Sequence, residues 1–253
     1  AIVPMKGVSE RLPGKNTRIV AGKPLLYWAL DALQRASRVS RVVVTTDSPD
    51  IAAQVREHFG RIDVVMQPPE LSTLTMNGVL AGMLPHVEGE HFLQAHVTSP
   101  LLLPATVDAA VEAYFAGLAE GADSLYGVTR HQTWFLRADG TPVGDDPADV
   151  RRTQDLEPLF EVNSAVHLFS RTTFTKRRSR IGARPLMFPI SKVEAIDIDY
   201  EDDIRIAEAL LLMREDARHR VAGRRGGKYT MGAIVYSTRR QADGSYDIRG
   251  AID

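Results

Sequence analysis

The sequence predicts an α/β domain in which a mainly parallel sheet carries helices on both faces. Three observations point there. Short apolar runs alternate with longer segments of helical period, helix starts are marked by proline or a capping residue, and the loops that follow the apolar runs carry polar and basic chemistry. The first run is 1–5, followed by 41–46 (RVVVTT), 63–66 (DVVM), 91–94 (HFLQ) and 124–128 (SLYGV), all in residues that suit buried strands. Helices are expected over 24–36, 49–59, 75–85 and 104–119. Pro24 and Pro104 sit where a first helical turn tolerates proline, and Asp47 or Ser48 can cap the helix after them. Around 130–163 the rhythm breaks at a turn-rich stretch (TPVGDDPADV), which reads as an insertion. Strands are expected again at 165–170, 186–190 and 194–199, then an amphipathic helix from Glu201 to about Arg214. The stretch 214–240 holds eight Lys and Arg against two acids and reads as a basic tail or linker, so the chain divides into 1–213 and 214–253.

At 253 residues, 44% hydrophobic and 25% charged, the chain has the composition of a globular protein with a sizeable core, which excludes disorder as its main state. Thirty-one Lys and Arg against 32 Asp and Glu leave a net charge of -1. No global field draws it to nucleic acid or an anionic membrane, and neither is expected as a partner, so any anion site is local. Without cysteine there are no disulfides, thiolate zinc sites or cysteine nucleophiles. The opening AIVPMKGVSE lacks the basic and apolar regions of a signal peptide, and no window approaches the ~18 apolar residues of a membrane helix. A cytoplasmic protein is expected.

The segment 4–16, PMKGVSERLPGKN, leaves the first strand and is too long and too punctuated for a simple turn. Gly7 and Gly14 permit close backbone approach, Pro13 fixes a bend, and Lys6, Arg11 and Lys15 concentrate positive charge. At the carboxyl end of a first strand, this suits an anion such as phosphate, with a solvated basic loop as the alternative. The segment fits neither GxGxxG nor GxxxxGK[ST]. In AIDIDYEDD, 195–203, strand alternation puts Asp197 and Asp199 on one side, as two oxygen ligands for magnesium. Asp199 could instead cap the following helix. In FLQAHVTSP, 92–100, Gln94, His96, Thr98 and Ser99 put hydrogen-bonding groups at the same sheet edge, where Gln94 could read a base or sugar, or Thr98 or Ser99 could cap the next helix. Asn163 and Ser164 before a strand are similar and weaker. No serine-histidine-acid set and no HExxH pair can be assembled.

Together these segments resemble the cytidylyltransferase family that activates 3-deoxy-2-ulosonic acids, the acylneuraminate and 3-deoxy-manno-octulosonate synthetases. Lys6, Gly7, Ser9, Pro13, Lys15 and Asn16 match the first loop in order, and AGKPLLYWAL, VVVTTDSPDIA, QPPELS, TSPLL and AIDIDYEDDIRIAEALL follow in register as far as about Met213. The resemblance implies a Rossmann-like nucleotide-diphospho-sugar transferase fold, CTP as donor, a small-molecule acceptor, magnesium, and a homodimer in which the insertion serves the partner's acceptor site. It implies Lys6 and Lys15 as catalytic groups on the CTP phosphates. It assigns Met5, Gly7, Ser9, Arg11, Asn16, Ser72 and Gln94 to the nucleotide, His96, Thr98, Glu161 and Asn163 to the acceptor, and Asp197 and Asp199 to the metal. The chain departs from the family pattern at Lys6, usually arginine, and at Glu10, usually lysine, where Arg11 could supply the charge. His96 stands where a glutamine is common, and Glu161 where sialic acid enzymes tend to place arginine. An acid at Glu161 would repel a carboxylate, so a phosphonate or an amine-bearing acceptor is the alternative.

Overall fold

The computed structural model describes residues 1–144, 148, 151–223, 235–240 and 246–251, with side chains as far as residue 215 and except at 145–147 and 149–150. Part of the basic stretch, 224–234, and the insertion residues 145–147 and 149–150 lie outside the described residues. Two compact units divide at Leu211/Leu212.

The first unit is built on a seven-stranded sheet. Its strands are β1 (Ile2–Met5), β4 (Val43–Thr46), β5 (Asp63–Met66), β6 (His91–Ala95), β7 (Ser124–His131), β8 (Leu159–Ser170) and β9 (Pro185–Pro189), in the order β5-β4-β1-β6-β8-β7-β9. A small separate ribbon pairs β2 (Ile19–Val20) with β3 (Lys23–Pro24). β1, β4, β5 and β6 run parallel, and only β8 opposes its neighbours. β1 and β4 are buried along their whole length, as expected of parallel strands covered on both faces.

Alternation along these strands feeds two cores. Val3, Met5, Val44, Leu93 and Ala95 pack with α1 (Leu25–Arg35), α2 (Pro49–His58) and α4 (Pro104–Ala119). Ile2, Val43 and Phe92 point the other way, to α3 (Met76–Met83) and Phe174 of α5 (Arg171–Arg177). Ser48 caps α2, its Oγ accepting from the Ile51 N–H at 3.3 Å, and Pro104 opens α4. A third cluster joins Leu12, Leu101 and Ile198 to Ile204, Ala207 and Leu211 of α6 (Glu201–Gly223). Through Leu12 this cluster anchors the loop at the end of β1.

The structure corrects the reading in four places. Residues 194–199 form no strand; the segment makes one main-chain hydrogen bond to its neighbour, Ile198 N–H to Thr98 O at 2.8 Å. The break at 130–163 is narrower, because β7 extends to His131 and β8 begins at Leu159. Neither Thr98 nor Ser99 caps α4, whose cap residue is Leu103, with the Leu103 N–H donating to Glu194. α6 continues past 214 because REDARHRVA holds helix-compatible residues and no glycine or proline before Gly223. In the second unit, β10 (Val235–Arg240) and β11 (Tyr246–Ala251) pair antiparallel.

Candidate active site

β1 delivers the chain into the 6–14 loop at the carboxyl edge of the parallel strands. The Gly7 N–H donates to Asp47 Oδ1 at 2.7 Å, and a side chain at Gly7 would meet Ser48 Cβ at 2.9 Å, so this approach needs glycine. Gly14 turns the chain at φ 66°, and Leu12 anchors the loop in the third core cluster. Asn16 Nδ2 closes the loop by donating to Lys6 O at 3.0 Å. Lys15 is buried at 9% exposure, its ammonium donating to Ile198 O at 2.6 Å and Asp199 Oδ1 at 3.1 Å. Lys6 and Arg11 stay exposed, and Arg11 pairs with Asp199 Oδ2 at 2.6 Å.

Ile198 is fully buried between the two acids and pinned to Thr98, which turns both Asp197 and Asp199 to the cleft without a strand. Asp199 does not cap α6, since its carboxylate is held by Lys15 and Arg11; Asp203, in the first turn, reaches back as in a capping box, its Oδ2 accepting the N–H groups of Asp199 and Tyr200 at 2.9 and 2.7 Å. Asp197 Oδ1 is buried with no partner among the described residues. Burial pushes its carboxyl above the ordinary pKa, a Thr98 hydrogen bond opposes the shift, and the charge of Asp199 adds to it. The orphaned Asp197 oxygen is a free donor for a cation, whereas both oxygens of Asp199 are held by Arg11 and Lys15. No group of three or more His, Cys, Asp or Glu that could hold a metal ion occurs among the described residues.

The cleft has a volume of about 500 Å³. One wall is a hydrogen-bonded chain in which Ser72 Oγ donates to Asp47 Oδ2 at 2.5 Å and accepts from Gln67 Nε2 at 3.0 Å. Asp47 thereby ties this wall to the Gly7 loop. His96, Thr98 and Ser164 also line the cleft, and Leu74, Met76 and Val79 give it apolar lining. Burial, reinforced by Arg180 and Lys15, pulls the His96 pKa down to about 4, so the ring is neutral at pH 7.

A cytidylyltransferase family model matches residues 1–213. The chain belongs to the cytidylyltransferase family. The N-acylneuraminate cytidylyltransferase of Streptococcus agalactiae serotype V is 30% identical over 210 residues, which cover 80% of this chain and 50% of that protein. The chain thus spans about half the length of that relative. The CMP-N,N'-diacetyllegionaminic acid synthase of Legionella pneumophila is 27% identical over 232 residues, 86% of this chain and 97% of that one. A solved CMP:2-keto-3-deoxy-manno-octonic acid synthetase complexed with CTP shares the fold, at a TM-score of 0.65 and 14% identity, over 84% of this chain and 98% of that one.

Met5, Lys6, Ser9, Arg11, Lys15 and Asn16 line the cleft from the end of β1 and the loop after it. Ser72, His96, Thr98, Asp197 and Asp199 reach it from three other places in the sequence. Gly7 serves beneath the lining through its N–H. Gln94 is fully buried and does not reach the cleft; its amide donates to Ala95 O and its oxygen accepts from Arg180. Asn163 is buried against Thr129 Oγ1 at 3.1 Å and the Ala165 N–H, while Glu161 pairs at the surface with His131 at 2.8 Å. Neither lines the cleft of its own chain, whereas Ser164 does. Gln67 carries a role in the geometry that the sequence pattern did not assign, and Asp47, a helix-cap candidate in the sequence, instead binds the Gly7 N–H and Ser72; QPPELS contains Gln67, but only the pairing with Ser72 shows what it does.

Proposed function

We propose that the protein transfers CMP from CTP to a 3-deoxy-2-ulosonic acid and releases pyrophosphate. The observation that carries this reading is the convergence, in one cleft of a cytidylyltransferase-family chain, of a basic loop with buried Lys15 and the two acids Asp197 and Asp199. The names of the relatives, which activate sialic, legionaminic and octulosonic acids, support the acceptor class. Glu161, the residue that favoured a different acceptor, is occupied with His131 and outside the cleft of its own chain.

In this reading an acceptor hydroxyl attacks the α-phosphorus in line, and the bond to the β-phosphate breaks. Lys15, held in place by Ile198 O and Asp199, meets the charge that develops on the phosphates, and exposed Lys6 adds a second cation. Met5, Ser9, Arg11, Asn16 and Ser72 line the space for the nucleotide, Gly7 lets the loop close beneath it, and Gln94 acts only through Arg180, whose guanidinium it holds beside His96. Thr98 and His96 face the acceptor. Asp197 and Asp199 would hold magnesium, which when bound neutralises phosphate charge. A cytoplasmic homodimer completes the proposal; exposed Phe160 and Val162 of β8 and Met187 of β9 offer an apolar sheet face for the partner, and a monomer in sedimentation overturns that part.

The test is pyrophosphate release from CTP with a panel of ulosonic acids, phosphonates and amine-bearing sugars. Turnover is expected with at least one ulosonic acid and to depend on a divalent cation. Turnover with phosphonates and none with any ulosonic acid overturns the acceptor assignment.

A further inference from the structure

Arg180 stands in the loop after α5, which is stitched to the cleft. Its main-chain N–H donates to Asn77 Oδ1 at 3.2 Å, and Asn77 Nδ2 reaches Ser179 Oγ at 3.5 Å. Asn77 belongs to α3, whose Met76 and Val79 line the apolar edge of the cleft. From this anchor the guanidinium extends to β6, where Nη1 donates to Gln94 Oε1 and lies 3.5 Å from Nε2 of His96, itself a lining residue.

Its surroundings differ from those of Arg18, Arg38 and Arg41, which lie at the surface, each on a carboxylate. Half-buried Arg171 has neutral partners, but its Nε, Nη1 and Nη2 all donate to main-chain carbonyls, which leaves it no free fork. Arg180 is half-buried, and among the described residues its side-chain partners are neutral: an amide oxygen and an imidazole. Nothing charged opposes it nearby from β8 either, since His167 is held neutral with a pKa pulled down to about 3 by burial, by Arg180 and by His96. Burial lowers the guanidinium itself to about 10, which leaves it charged. Its Nε–Nη2 edge has no hydrogen-bond partner among the described residues. That edge is the planar fork that takes a carboxylate through two parallel N–H···O bonds. Arg180 does not itself line the cleft but stands one residue behind it, at His96; a partly desolvated cation there with a free fork is completed by an anion that the chain itself does not supply.

We infer that Arg180 binds the carboxylate of the acceptor at the His96 side of the cleft. The assignment rests on the CMP-transfer reading for the identity of the acceptor. It places carboxylate recognition on the loop after α5, stitched to α3, and not on β8, where Glu161 stands. Gln94 and His96 hold the guanidinium in position, and His96, being neutral, adds no competing charge.

Steady-state pyrophosphate release from CTP tests this with wild type, Arg180→Lys and Arg180→Met, each supplied with a ulosonic acid and with its methyl ester. Arg180→Met is expected to raise the acceptor KM for the acid by about 10- to 100-fold, the size of a lost charged hydrogen bond, with the KM for CTP unchanged. The ester, which lacks the charge, is expected to be equally poor with wild type and variant, and Arg180→Lys to fall between. Equal losses on acid and ester, an effect on CTP alone, or no effect overturns the inference. Should wild type release no pyrophosphate with any ulosonic acid, the transfer reading fails. Calorimetric titration of the acid then judges Arg180 separately: binding lost only in Arg180→Met supports it, and equal binding or none to wild type overturns it. Arg180→Lys serves if the methionine variant does not fold.

Discussion

The parallel half of the sheet and the β7–β8 hairpin treat polar residues in opposite ways. In the parallel half, the chain leaves β1, β4, β5 and β6 at one edge, so loops distant in sequence empty their side chains into one cleft; Lys15, Ser72, Thr98 and Asp197 meet there. On the hairpin, Asn163 bonds Thr129 across the strands and Glu161 bonds His131, so the polar groups satisfy one another. Common strand direction concentrates chemistry, whereas antiparallel pairing distributes it and spends it on stability. One residue separates the two outcomes on β8, where Asn163 turns to Thr129 and Ser164 faces the cleft.

The largest test of this contrast is turnover. Lys15→Met and Asp197→Asn are each expected to lower pyrophosphate release by about 100- to 1000-fold, as for removal of one preorganised charge-stabilising group. Asn163→Ala is expected to leave it within about threefold. A comparable collapse in Asn163→Ala would place the hairpin in the chemistry of its own or a partner's cleft and break the contrast.

Stability should invert the order. Asn163→Ala leaves the buried Thr129 hydroxyl without its partner and is expected to cost about 1–3 kcal/mol in denaturant unfolding. Asp197→Asn removes a carboxylate whose pKa burial has raised, so the variant is expected to melt above wild type at pH 7. A lower melting temperature for Asp197→Asn would mean that the acid stabilises the fold it serves.

Near neutral pH the last effect is silent, and it emerges only on acidification. His167 of β8 is buried, and its pKa of about 3 lies below the ordinary value of 6.5, so the folded chain binds fewer protons there than the unfolded one. Its neutral form is fully tolerated above pH 6.5, and stability drains as pH falls from 6.5 towards 3, by up to about 1.4 kcal/mol per pH unit. His167→Gln should flatten the fall in unfolding free energy between pH 6.5 and 5. An unchanged slope would show that the histidine takes up its proton without loss.

Much of this architecture was legible in the chain because burial leaves a period. The runs at β1, β4, β5 and β6 and the helix starts at Ser48 and Pro104 come from local rules, and the glycines and lysines of the first loop mark an anion site without knowledge of its partners. Residues 194–199 carry the pattern of a strand because Ile196 and Ile198 alternate with acids; the alternation arises from Ile198 packing into the α6 cluster, while the main-chain N–H groups of Ala195 and Ile196 close local turns and that of Ile198 donates to Thr98 O. α5 spans seven residues, too few to display a helical face. Arg180 left no local signal, since its meaning depends on Gln94, 86 positions away, and on a fork left free. Glu161 was read by its neighbour Asn163, but strand pairing decided where it points.

Lys15 and Arg11 grip the same carboxylate of Asp199 before any ligand arrives, and Asn16 has already closed the loop on Lys6 O. The entropy of ordering these long side chains was therefore largely lost at folding. An incoming polyanion meets cations already gathered around a resident acid, so its capture is a change of partner within a formed cluster, and the affinity it gains is not spent on assembling the site.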